Sequence, residues 1–156
     1  MVPAATKAAL VLAPDGLSIV EAASGKPRLV RFGIARATAE QTIGLVQGEP
    51  LEQGSSSECG AGTIGYTSYK DDLQLTFQDD KFVGWTINGA ESPLRTGKGI
   101  GIGSTRQDLD AAYKILVEDN SLGVLWGVDD LVGLLDQDGI EGLVTGIWAG
   151  TVCLID

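Results

Sequence analysis

Paired acids stand at Asp71-Asp72, Asp79-Asp80 and Asp129-Asp130, and Asp136 and Asp138 flank Gln137. Two carboxylates on facing positions can divide acid and base duties in glycoside hydrolysis, so these residues are weighed first for a reaction. Most of them lie where the flanking sequence predicts a hairpin turn, and aspartate in a turn hydrogen-bonds its own backbone. Asp136-Gln137-Asp138-Gly139 begins like a calcium loop but lacks the later ligands, and no metal is assigned. The chain contains no histidine. Ser-His-Asp and Cys-His arrangements are therefore impossible, and no serine sits in a nucleophile-elbow context.

The glycine run Gly97, Gly99, Gly101, Gly103 could let backbone N–H groups approach a phosphate. Its spacing argues otherwise. Lys98 is followed by Gly99 where a Walker loop needs Ser or Thr, and Ile102 and Ser104 occupy the positions of the third glycine in a dinucleotide fingerprint. No cofactor is assigned, and the run reads as a strand packed closely under a neighbour. Nucleic acid is a poor partner for a chain of net charge −10 and pI near 4.3, because like charges repel. No apolar run reaches the length of a membrane span. Residues 2–13 lack the basic start and cleavage site of a signal peptide, so an exported chain would be a mature form.

The elements that would position any site are short. Residues 17–22 and 28–32 form a β-like hairpin around Ala23-Ser24-Gly25-Lys26-Pro27. Ile43 and Val46 share helical spacing, with Thr38 and Gln41 in capping-box register and Gly48 as a stop. Residues 49–62 read as a polar loop. Leu73, Leu75 and Phe77 alternate with Gln74, Thr76 and Gln78, then turn at Asp79-Asp80-Lys81 into residues 82–87, an antiparallel hairpin with one dry face. Ser104 and Gln107 repeat the capping-box spacing before a stripe of Leu109, Ala112, Tyr113 and Leu116. Residues 122–126, 131–135, 143–148 and 151–155 then read as strands.

Phe32-Gly33-Ile34-Ala35-Arg36 is echoed by Ile102-Gly103-Ser104-Thr105-Arg106, each copy closing a strand and opening a helix. Gly33, Arg36, Gly103 and Arg106 thus mark a structural repeat. The expected fold is α+β, two repeated units, each a short helix packed on an antiparallel β-sheet. The first unit, with the N-terminal hairpin, spans 1–95 and the second 96–156, and the two can share one core. Among the aromatics, Tyr66, Tyr69 and Trp85 are the candidates for a ligand or partner surface, since tyrosine and tryptophan give large contact area at small entropic cost. Cys59 and Cys153 are either a disulfide formed in an oxidising compartment or two buried thiols.

The two copies, Gly33-x-x-Arg36 and Gly103-Ser104-Thr105-Arg106, resemble the strand-Gly-hydrophobic-Thr-Arg-helix signature of tandem β-lactamase-inhibitor-protein-like units. The same unit occurs singly in small envelope lipoproteins of the outer-membrane assembly type. The resemblance covers the repeat cores, about half the chain, and implies an exported bacterial protein that binds other proteins. Family members carry a disulfide within each half, whereas this chain has Cys59 in one half and Cys153 in the other, and its aromatic face is thinner. No target-contacting residue carries over.

The sequence is therefore read as a non-enzymatic periplasmic or extracellular binding or scaffold protein. It recognises a protein or small ligand through a sheet face and needs no cofactor. The alternatives are an inhibitor of a secreted enzyme such as a β-lactamase, and a carboxylate-based hydrolase. A Cys59–Cys153 bridge would close a loop of ~90 residues and constrain the unfolded chain by on the order of 4–5 kcal/mol. Protein from its native host is expected to take up alkylating label at both cysteines only after reduction; labelling at both without reductant, read by intact mass, refutes the bridge.

Overall fold

A computed structural model describes residues 8–21, 27–59, 62–87, 92–120 and 123–152. Among them, in chain order, are β1 (Ala8–Ala13), β2 (Gly16–Glu21), β3 (Pro27–Arg31), α1 (Arg36–Gln47), β4 (Glu52–Cys59), β5 (Gly62–Ser68), β6 (Leu73–Gln78) and β7 (Lys81–Ile87). There follow β8 (Arg95–Thr96), α2 (Arg106–Ala112), β9 (Leu116–Asn120), β10 (Gly123–Val128), β11 (Leu131–Leu135) and β12 (Val144–Gly150). A small sheet has the order β3-β2-β1-β8, with β8 parallel to β1. The large sheet runs β4-β5-β6-β7-β12-β11-β10-β9, antiparallel throughout.

The expected α+β architecture of two repeated helix-on-sheet units is corrected by this topology. The described chain is mostly β, with twelve strands in two sheets against helices of 12 and 7 residues. Four strands escaped the sequence reading: β1, β4, the two-residue β8 and β9. β4 was expected as loop because its Glu-Gln-Gly-Ser-Ser-Ser-Glu-Cys has no apolar alternation, yet it pairs along β5 through its backbone. β1 is a nearly continuous apolar run with little alternation to flag it. The second helix also stops early: Tyr113 is already extended (φ −139°, ψ 154°), so Leu116 opens β9 instead of closing a helical stripe. The proposed closing strand at 151–155 falls partly outside the described residues, and β12 ends at Gly150.

The joints do recur, bond for bond. The Gly33 N–H donates to the Phe82 carbonyl at 2.7 Å, the Phe82 N–H to Ile34 at 2.9 Å and the Arg36 N–H to Asp80 at 2.9 Å. In the second copy Gly103 donates to Val144 at 2.8 Å, Val144 to Ser104 at 2.9 Å and Arg106 to Gly142 at 2.9 Å. Both glycines lie at positive φ, 101° and 89°, where a side chain would be strained. The helices then bury residues completely, Ala39 and Ile43 in α1 and Leu109 in α2. The capping boxes are not used as expected. Ala35 caps α1 without a side-chain bond, and Thr105 caps α2 by accepting from the Asp108 N–H.

The turn reading of the acids holds locally. Asp71, Asp72, Asp79, Asp80 and Asp129 all have positive φ, between 53° and 65°, in the β5–β6, β6–β7 and β10–β11 connections. Two-residue hairpins favour that conformation because its twist matches the strands, and aspartate tolerates it better than most residues.

Below the large sheet, alternation gathers Leu73, Leu75, Phe77, Trp85, Ile87, Trp126, Leu131 and Ile147 into one core. Leu10, Leu12, Leu17 and Ile19 of the small sheet and Ala39, Ile43 and Leu109 of the helices pack into the same cluster. Trp126 lies flat against Gly133, and a β-carbon there would overlap its ring and come 2.5 Å from the Gly146 carbonyl. Gly133→Ala is therefore expected to cost roughly 1–3 kcal/mol by overpacking. That lowers the calorimetric midpoint by about 3–10 °C. Gly127→Ala, whose new carbon meets only the Leu131 carbonyl at 3.7 Å, serves as the neutral control; equal midpoints for both variants contradict this packing.

Candidate functional site

The three aromatics expected on the surface separate. Trp85 is fully enclosed, and its indole N–H donates to the Ala13 carbonyl at 3.0 Å, tying β7 to the end of β1. Tyr69 is also buried, its hydroxyl donating to the Glu40 carbonyl at 3.3 Å. Trp85 can form no contact surface, which corrects its assignment, whereas Tyr69 contributes only a small exposed part, to the lining of the polar hollow described below. Only Tyr66 remains half-buried, on the opposite side of the sheet, its ring covering Gly54. Cys153 lies outside the described residues, and so does the proposed pairing with Cys59 at the end of β4.

Arg36 and Arg106 each form an i,i+4 ion pair, with Glu40 at 3.4 Å and Asp110 at 3.1 Å. The Arg36 pair is embedded further. Its guanidinium sits 4.5 Å from the centre of the Phe77 ring, in space left by Gly65. The Glu40 carboxylate also accepts from the Thr67 hydroxyl at 2.6 Å and the Gln53 amide at 2.9 Å, so one acid joins α1 to β4 and β5. The turn acids do lesser local work: Asp71 accepts from Gln47, and Asp136 from the Leu143 N–H.

The side of the large sheet facing away from the core carries a continuous cross-strand row. Register links Glu52 to Ser68, Ser68 to Gln74, Gln74 to Thr86 and Thr86 to Trp148. It continues from Trp148 to Val132, then to Gly127 and to Leu116. Cross-strand partners share a face, and eight strands spaced about 4.8 Å apart make this row roughly 34 Å long. Its β4–β6 end is polar and its β9–β12 end apolar.

Each end opens a hollow. At the polar end Leu51, Glu52, Ser68, Tyr69, Asp72, Gln74 and Thr86 surround about 540 Å³. At the apolar end about 550 Å³ lies over Gly127, whose missing side chain leaves room between Leu116, Leu125 and Val132, with Lys114, Glu118 and Asp129 also in the lining. Leu116 is 82% exposed, while Trp148, midway, is only 8% exposed. The glycine run at 97–103 contributes elsewhere, to a polar hollow beside α2 where Arg95 already donates to Gly99 and Lys98 to Ala112.

Sequence reading missed Val132, Gly127 and Leu116 as site residues. The alternation of Val132 and Leu134 with buried Leu131, Gly133 and Leu135 is the one signal that pointed to a second apolar side. Among the described residues no cluster of His, Cys, Asp and Glu could hold a metal ion, and no helix is long and apolar enough to cross a membrane. Comparison with protein-family models, with curated proteins and with solved structures gave no match.

Burial, reinforced by the Glu40 carboxylate and opposed by Arg36, pushes the Tyr69 phenol up to about 12. An unfolded tyrosine titrates near 10, so as pH rises from about 10 to 12 the unfolded chain releases this proton first and stability falls. Below that window the phenol is protonated in both states and contributes no slope. Urea denaturation at about pH 9 and about pH 11 is expected to show a loss that Tyr69→Phe reduces. An unchanged loss in the variant refutes the assignment.

Proposed function

We propose that this protein is a non-enzymatic binding protein of the bacterial envelope that holds a protein partner across the open face of its large sheet. The observation that carries the reading is the row from Glu52 to Leu116, polar at one end and apolar at the other, with a hollow at each. Such a surface suits a macromolecule better than a small molecule. A pocket for a small ligand encloses most of it, whereas these two hollows are open and lie at opposite ends of the ladder, with buried Thr86 and Trp148 between them. The envelope setting rests on the expected Cys59–Cys153 bridge and on the resemblance of the Gly-Arg joints to envelope binding units.

A photo-crosslinking residue placed at Gln74 or at Val132 is expected to capture the same partner in native membranes, and one at Leu45 on the exposed side of α1 is expected to capture none. Val132→Lys should weaken the adduct at Gln74 at least tenfold while leaving the thermal midpoint nearly unchanged. Different adducts at the two positions, or equal capture from Leu45, overturn the reading. If the captured protein is a secreted enzyme whose turnover stops on binding, the protein acts as an inhibitor.

A further inference from the structure

The polar hollow of the open face has a one-sided chemistry. Its lining brings two carboxylates, Glu52 on β4 and Asp72 in the β5–β6 turn, together with the Ser68 hydroxyl, the Gln74 amide and the Thr86 hydroxyl. No basic residue is among them, whereas Lys114 lines the apolar hollow and Arg95 and Lys98 the one beside α2. Neither Glu52 nor Asp72 has a hydrogen bond or an ion pair among the described residues. Gln74 donates its amide N–H to Ser68 at 3.4 Å, and its carbonyl oxygen is a further acceptor.

Acids alone would be an ordinary solvated rim, and Thr86 is what makes the hollow a site. The residue is only 9% exposed, lines the hollow, and its hydroxyl has no hydrogen-bond partner among the described residues. A hydroxyl taken out of water without a partner is destabilising, and a donor entering the hollow restores the missing bond. Leu51 and Tyr69 complete the lining with apolar surface for the stem of such a group.

The acceptors are spread along the row from Glu52 through Ser68 and Gln74 to Thr86, over four strands about 4.8 Å apart. A calcium ion draws its oxygens to about 2.5 Å from one point, and a lysine ammonium is likewise a compact point charge. Spread acceptors without a resident cation suit a guanidinium, which is planar, offers five N–H groups and accepts nothing. The surrounding charge has the same sense. Residues 49–80 hold seven acids against one base, Lys70, so a cation is steered toward this end of the face.

We propose that this hollow receives an arginine side chain of the partner protein, its guanidinium between Glu52 and Asp72 and a backbone N–H of its own segment donating to the Thr86 hydroxyl. This rests on the sheet-face reading and gives the partner its chemistry, an arginine for the polar end of the row as the hollow over Gly127 takes an apolar side chain.

The test is an NMR titration of the isotope-labelled whole protein with N-acetyl-arginine amide, N-acetyl-lysine amide and N-acetyl-citrulline amide, the last keeping the shape of arginine without its charge. The arginine amide is expected to shift the backbone N–H signals of Ser68, Gln74 and Thr86 saturably, the lysine amide more weakly and the citrulline amide not at all. Glu52→Gln and Asp72→Asn together should weaken the arginine amide roughly tenfold, and Thr86→Val alone roughly threefold. Asp130→Asn, which removes one such charge in the β10–β11 turn, should change nothing. An unmoved Trp126 indole signal reports that each variant is folded.

The proposal is overturned by the absence of a saturable shift, by equal shifts from arginine and citrulline, or by undiminished binding in the double variant or in Thr86→Val. Displacement of the arginine amide by calcium chloride would make the hollow a metal site and also overturns it. The double variant with a photo-crosslinking residue at Val132 should lose most of its adduct in native membranes. A full adduct beside lost arginine binding would assign the hollow to a free guanidino compound, refuting the partner's arginine. Failure of the arginine amide with crosslinking intact refutes the hollow alone, whereas arginine binding with different adducts at Gln74 and Val132 refutes the sheet-face reading.

Discussion

The pairing of β7 with β12 is the contact on which the rest of the molecule depends. Ile87 faces Ile147, Thr86 faces Trp148, Trp85 faces Ala149 and Gly84 faces Gly150. Without this ladder the chain would hold two four-stranded meanders, each with a free edge in the middle of what is now a core. With it, Ile87, Ile147, Trp85 and Ala149 become one buried patch, while Thr86 and Trp148 bridge the halves on the other side. The backbones approach closely there. Thr151 follows β12 back over β7, where its N–H donates to Val83 at 2.7 Å and its carbonyl accepts from the Thr76 hydroxyl at 2.6 Å. That bond also explains how Thr76 can be buried on a face otherwise opposed to the core.

The two halves hang unequally on this ladder. On one side α1 has three turns, and its Glu40 gathers donors from α1, β4 and β5, with Arg36 lying over Phe77. A half-buried charged group satisfied by several donors holds its elements in one arrangement, since any shift strands a charge. On the other side α2 has seven residues, and its Arg106–Asp110 pair is an exposed contact within the helix. Such a pair contributes little. The edge strand β9 accordingly carries Leu116 into solvent, whereas Gln53 in β4 is tied down to the helix beside it.

The proposed function draws on that inequality. The acids that could have suggested hydrolysis are spread over separate hairpins and shape the turns. The surface features that support the proposed function are a polar hollow, an apolar hollow and the ladder between them. Surfaces of this kind act by complementarity, in which a few well-packed contacts and the exclusion of water decide affinity.

By itself the sequence determined what nearest neighbours decide. The aspartate pairs had to be turns because their flanks demanded a reversal that aspartate tolerates, and alternation in residues 73–78 and 131–135 had to bury one side. Gly33 and Gly103 had to be joints because the conformation there excludes side chains. Only the tertiary structure decided which strands would meet, and so which aromatics are hidden. Period-two alternation says that Trp85 and Thr86 face opposite ways, but not which of the two ways is covered; the small sheet and α1 settle it by packing on the Trp85 side. β4 was invisible because an edge strand with polar side chains is held by its backbone, and backbone bonds leave no trace in residue type. Leu116 matched a helix by spacing, and the pairing of its strand with β10 outweighed that local preference.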